Sequence, residues 1–214
     1  ADIKCTSPNC PAQLERHMIN FVGRDAMDIK GFGATYIMEL VRLGYLKDIA
    51  DIYDLKQHRE ELIEQGIIGI EKNTDKLLDA IEKSKQNEAF QLLTGFGIPN
   101  VGKAAAKTIL KHIGSIEALM QADMESLQQV ADVGEVTALC IRNYFQDENN
   151  CKIIERLKEA GVNMEMAESG SEDGRVDGLT FVSTGTLPTL DRKAAAALIE
   201  AHGGKVSGSV SKKT

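Results

Sequence analysis

The sequence predicts a mainly α-helical fold of four helical hairpins in two similar pairs, preceded by a short cysteine-bearing segment and followed by a short α/β piece. Three observations predict it. Turn glycines recur at Gly33, Gly102 and Gly134, with a degenerate fourth turn near Ile67-Ile68-Gly69. Each turn precedes a stretch whose apolar residues return at helical spacing. The pattern then changes after residues 167–177, which are small, polar and acidic and read as a linker.

The hairpins come first because the repeat is the most informative feature. From Gly102 to Gly134 is 32 residues, and from Gly33 to Gly102 is 69, about twice that. After the first turn, Tyr36, Ile37, Leu40 and Val41 share a helix face; after the second, Leu77, Leu78 and Ile81 do. Ala105, Ile109, Leu110 and Ile113 follow the third turn, and Val136, Leu139, Tyr144 and Phe145 the fourth. Gly44 and Gly114 stop two of these helices 70 residues apart. In the last piece, residues 179–184 read as a strand, 194–201 as a helix, and Gly203-Gly204 as the stop before a second strand at Lys205-Val206.

Composition sets the outer limits. The chain has 214 residues, enough for one or two domains, with 43% apolar and 27% charged residues. Aromatics are 5% and Trp is absent, which argues against an aromatic-lined sugar or base-stacking site. No apolar stretch reaches membrane-spanning length, and residues 1–5 have no signal-peptide character. The net charge of -7 argues against coating nucleic acid by bulk electrostatics, but leaves room for phosphate held by backbone amides. Four unevenly spaced cysteines suggest a reducing, cytoplasmic compartment rather than a disulfide framework.

The turns suggest a chemistry. In Gly31-Phe32-Gly33 two glycines flank an apolar anchor and a helix follows. Glycine lets backbone approach a ligand closely, and the free N–H groups at the helix start suit one phosphate. Such a contact ignores base sequence. The third unit, from Gly97 to Gly102, adds Lys103 at the helix start. The fourth keeps Gly134 between acids, and the second has one glycine in a register uncertain by a residue. The first and third units, at Gly31, Gly33, Gly102 and Lys103, are therefore expected to be the stronger phosphate ligands, and the second and fourth to be mainly structural. Residues 97–104 imitate a nucleotide-binding loop, but Ala104 stands where a Mg²⁺-binding hydroxyl belongs, and the preceding segment reads as helix.

Cys5 and Cys10 form a C-x₄-C pair over a Pro-Asn turn. Two thiolates can meet one Zn²⁺, but a structural site needs four ligands. His17 is the nearest further candidate, while Cys140 and Cys151 read as idle thiols. His58, His112 and His202 lack catalytic partners, Met164 and Met166 read as packing residues, and no nucleophile–base pair stands out.

Cys5-Thr6-Ser7-Pro8-Asn9-Cys10, the four hairpins, and Gly178-Leu179-Thr180-Phe181-Val182-Ser183-Thr184-Gly185, in that order, resemble the C-terminal half of the bacterial NAD-dependent DNA ligases. The resemblance implies the second half of a Cys₄ zinc finger at 1–22, tandem helix-hairpin-helix units at 23–166, a linker at 167–177 and the first part of a BRCT domain at 178–214. It carries zinc ligation onto Cys5 and Cys10, with the other ligand pair expected upstream. It implies a monomeric parent enzyme that seals nicks in duplex DNA during replication and repair, moving AMP from NAD to a lysine and then to a 5′-phosphate. That lysine belongs to a K-x-D-G motif not found in this sequence, so NAD and Mg²⁺ sites are expected elsewhere in the parent and this part is expected to be inactive. The implied partner is nicked double-stranded DNA, and the resemblance carries the contacts of the hairpin array onto Gly31, Gly33, Gly102, Lys103 and Gly134 as candidate DNA-binding residues. Thr184 and Gly185 match a BRCT phosphate-binding position but read here as a turn. A protein-interaction module and a repair-nuclease module are the alternatives; the net charge favours the former slightly, and the glycine turns oppose it.

Overall fold

The computed structural model describes residues 11–166, 180–182, 195, 196, 199 and 205–207. They divide into two units, one ending at Met166 and the other beginning at Ala167.

In the first unit, helix α1 (Pro11–Val22) packs on α2 (Ala34–Arg42) across the first glycine turn. A short α3 (Asp51–Asp54) runs through one 3-10 turn into α4 (Arg59–Glu64), which packs on α5 (Glu71–Ser84). Next, α6 (Ala89–Gly95) packs on α7 (Lys103–Ile113). After α8 (Ile116–Gln121), α9 (Met124–Gln128) packs on α10 (Glu135–Gln146), and α11 (Glu148–Glu159) follows. Ile37, Leu40, Leu77, Ile81, Ile109 and Leu110, one buried face from each of three helices, join a common apolar core. Gly44 and Gly114 lie past the ends of α2 and α7 at φ +83° and +95°, where a side chain would be strained.

The first and third hairpins pack together through α1 and α6. His17 Nε2 lies 3.2 Å from the Gly95 carbonyl oxygen, and Asn20 donates to the Thr94 carbonyl at 3.4 Å. From the other side, Asn87 and Gln91 donate to the carbonyls of Met27 and Ala26 at 2.7 and 3.0 Å. The third and fourth hairpins meet through Phe96, stacked on Tyr144 with ring centroids 5.4 Å apart. The second hairpin is held differently. Arg59 forks onto Asp75 at 2.6 and 2.9 Å, tying α4 to α5. Arg156 of α11 bonds Asp48, Asp51 and Asp54 at 2.7–2.8 Å, tying the last helix to α3.

The fourth hairpin corrects one expectation. Val136 and Leu139 are 68% and 51% exposed, whereas Ala138, Ile141 and Phe145 are buried. The 3.6-residue period through Phe145 passes through Ile141 and Ala138, leaving Val136 and Leu139 on the solvent side. In the second unit, β1 (Thr180–Phe181) pairs in parallel with β2 (Lys205–Val206), and residues 195, 196 and 199 between them are helical. The linker and residues Thr184, Gly185, Gly203 and Gly204 lie outside the described residues.

Candidate nucleic-acid interface

Three hairpin turns share one backbone design. In each, the residue two places before the helix cap has positive φ: Gly31 at +82°, Asn100 at +66° and Asp132 at +63°. A buried apolar anchor follows (Phe32, Val101 or Val133), and its N–H closes the turn onto Ile29, Ile98 or Val130 at 3.0–3.3 Å. The exposed cap itself is then Gly33, Gly102 or Gly134. Asn and Asp take the left-handed conformation more readily than other non-glycine residues. Asn100 and Asp132 thus replace the first glycine of the Gly31-Phe32-Gly33 pattern, and the acid-flanked fourth unit keeps the shape of the first. Gly97, which resembles the first glycine by sequence, instead lies just past α6 at φ +68°.

The second hairpin departs from this design. Its left-handed residues are Gly66 and Gly69, its buried anchor is Ile68, and its cap is Ile70. Ile70 is 69% exposed, so a bulky side chain stands where the other units have none.

The cap glycines have no internal explanation. Gly33, Gly102 and Gly134 sit at φ −74° to −84° with extended ψ, a conformation open to any residue. A Cβ built at any of the three meets nothing within 4 Å. Neither strain nor packing inside the molecule asks for glycine there; an external surface at close range would.

The helix starts point the same way. A helix leaves its first N–H groups without intrahelical partners. Ser115, Asp123 and Asp147 side chains bond those of α8, α9 and α11. The Glu165 carbonyl accepts from the first residue of α6 at 3.4 Å, and Asp48 accepts from Ala50 and Asp51 at the start of α3. Among the described residues the starts of α2, α5, α7 and α10, the second helices of the hairpins, receive no side-chain cap, nor does that of α4, which continues directly from the 3-10 turn. At α2, α7 and α10 the first turn therefore begins at an exposed glycine with no side chain on its amides, and carries the partial positive charge of the helix end.

These turns are neighbours. Lys103 Nζ lies 3.8 Å from Asp25 in the first hairpin loop, and Asn100 Nδ2 lies 3.9 Å from Cys140 Sγ on α10. The third turn is thus linked to both the first and the fourth hairpins. Of the residues singled out by sequence, Gly31, Gly33, Gly102, Lys103 and Gly134 are all exposed at these turns. Asn100 and Asp132 were missed; the signal was a residue tolerant of positive φ two places before a cap glycine.

Cys5 and Cys10 lie outside the described residues. Among the described residues no group of three His, Cys, Asp or Glu side chains could hold a metal ion. His17 is occupied with the Gly95 carbonyl, and Cys151 donates to the Phe145 carbonyl at 3.0 Å. Residues 89–95 ahead of Gly97 are helical, so the nucleotide-loop imitation lacks its strand. No helix among the described residues is long and apolar enough to cross a membrane.

The sequence of the chain matches known families and proteins. Residues 91–154 match the helix-hairpin-helix motif, and residues 174–214 match the BRCA1 C Terminus (BRCT) domain. The chain is 46% identical over 214 residues to a DNA ligase of Clostridium kluyveri, an alignment covering 100% of this chain and 32% of that protein. It is 47% identical over 213 residues to a DNA ligase of Desulforamulus reducens (99% of this chain, 31% of that one). A Brevibacillus brevis DNA ligase is 43% identical over 216 residues (99% and 32%). The chain spans about a third of the length of the relatives it matches.

Proposed function

We propose that this chain, a C-terminal part of a DNA ligase, is the section that grips nicked duplex DNA by its backbone. The uncapped amides behind Gly33 and Gly102, and then Gly134, each take a phosphate oxygen. Glycine at the cap lets the sugar-phosphate chain come within hydrogen-bonding range, and Lys103 adds a charge at the third turn. Phosphate contacts of this kind position the protein without reading bases. The observation that carries the reading is the cap glycine with open space around its missing Cβ, repeated at three helix starts whose amides no side chain satisfies.

The parent enzyme, on this reading, joins a 5′-phosphate to a 3′-hydroxyl with NAD as the adenylate source. The adenylation chemistry and the Mg²⁺ belong to parts of the parent outside this sequence. This chain contributes binding and alignment of the nick, not bond making. Cys5 and Cys10 would supply two thiolates to a structural zinc ion whose other ligands come from elsewhere.

The test is competition binding with a labelled nicked duplex. Unlabelled nicked duplexes of equal length and scrambled sequence compete equally if the contacts go to phosphate. A preference of tenfold or more among scrambled sequences overturns the reading.

A further inference from the structure

We infer that α7 carries the phosphate track beyond the Gly102 turn, through Lys103, Lys107 and Lys111; the inference rests on the DNA-binding reading above and extends it.

The observation is one of charge segregation. The chain carries a net -7, yet residues 89–116, the whole third hairpin, contain no Asp or Glu. Among the described α-helices, α7 alone has cations and no carboxylate. Its three lysines stand at i, i+4 and i+8, one face of a helix, about 6 Å apart along its axis. All three are exposed. Lys103 has a loose ion pair with Asp25 at 3.8 Å, Lys107 Nζ lies over the Phe90 ring at 5.5 Å from its centroid, and Lys111 has no ion-pair partner among the described residues.

On the other lysine-bearing α-helices among the described residues, α5 and α11, the lysines sit among acids. On α5, Lys72 and Lys76 alternate with Glu71, Asp75 and Asp79. Around the α7 stripe the side chains are small: Ala104 is exposed, and the Thr108 hydroxyl is turned back onto the Ala104 carbonyl at 3.1 Å. A low, uniformly positive strip that begins at an open helix start suits a polyanion continuous with the group held there. An acidic protein segment would also meet lysines, but would have no use for the cap glycine at the strip's end. Duplex DNA presents a phosphate about every 3.4 Å along each strand, so the strip's length of about 12 Å spans several.

The experiment measures binding of the full chain to a labelled nicked duplex over a range of NaCl concentrations. The variants are the pair Lys107→Gln and Lys111→Gln, the same two positions changed to Arg, and a control pair Lys72→Gln and Lys76→Gln on α5. Each phosphate contact contributes about 0.9 to the slope of log affinity against log salt. The α7 glutamine pair is expected to lower the slope by about 1.8, the arginine pair to restore it, and the α5 pair to leave it unchanged. An unchanged slope for the α7 glutamine pair overturns the inference, as does an equal fall for both glutamine pairs, which would mean only a general charge effect. Gly102→Asp measured in parallel separates the two readings. If it weakens binding while the lysine variants do not, the track is wrong and the turn contact stands; if neither weakens binding, the DNA-binding reading fails as well.

Discussion

Gly95 of α6 lies directly against Phe21 of α1: a Cβ added at Gly95 would stand 2.8 Å from Phe21 Cδ2. Phe21 is fully buried, and at this distance the ring or a helix would have to shift to admit the Cβ. This contact sets how closely α1 and α6 approach, and with them the first and third glycine turns.

Gly95→Ala is therefore expected to destabilise the fold by about 1–3 kcal/mol, the usual cost of overpacking. Chemical denaturation would show it, and adding Phe21→Leu should recover part of the loss. Equal stability of Gly95→Ala and the parent would mean that the helices are free to separate.

Thr74 is fully buried on α5, and its hydroxyl has no hydrogen-bond partner among the described residues. Replacing an unsatisfied buried hydroxyl with a methyl of the same shape removes a desolvation cost of about 1–3 kcal/mol. Thr74→Val should thus leave the melting temperature unchanged or raise it. A clear fall would show that the hydroxyl is satisfied in solution.

His17 gives the α1–α6 contact a pH dependence. Burial holds its pKa below the ordinary 6.5, against the opposing effect of the Gly95 and Phe96 backbone hydrogen bonds. Below about pH 6.5 the unfolded chain takes up a proton that the folded chain resists. Stability from this residue is complete above that pH and declines as pH falls toward the lowered folded value. Comparing melting temperatures from pH 7.5 to 5.5 with those of His17→Gln should show a steeper acid loss in the parent. Parallel curves would contradict it.

Zinc provides a check on Cys5 and Cys10. Two thiolates alone hold zinc weakly compared with a four-ligand site, so this chain should retain well under one equivalent after dialysis. Cys5→Ser with Cys10→Ser should remove what remains. A full equivalent that survives the double substitution would place the metal on other residues.

The sequence made the positions of the cap glycines legible, because a glycine followed by an amphipathic stretch marks a helix start. It did not make the turn design legible at the third and fourth units. There the left-handed position belongs to Asn100 and Asp132, while Gly97, the more conspicuous residue, only ends α6. The buried face of α10 was misphased because Val136 and Leu139 are apolar yet lie toward solvent. The pairing of the first and third hairpins depends on the absence of a side chain at Gly95, a tertiary fact with no local pattern. The Arg156 contacts to Asp48, Asp51 and Asp54 likewise join residues about a hundred positions apart in the chain.

The most direct test places a carboxylate on the open amides. Gly33→Asp and Gly102→Asp fit the existing backbone, and an aspartate at the cap should bond the first-turn N–H groups and complement the helix end. The account predicts an unchanged or higher melting temperature for each variant. It predicts at the same time an affinity for nicked duplex at least about tenfold weaker, since a charge-assisted hydrogen bond contributes about 1.5–3 kcal/mol. Unchanged affinity in both variants, with the fold intact, would contradict it.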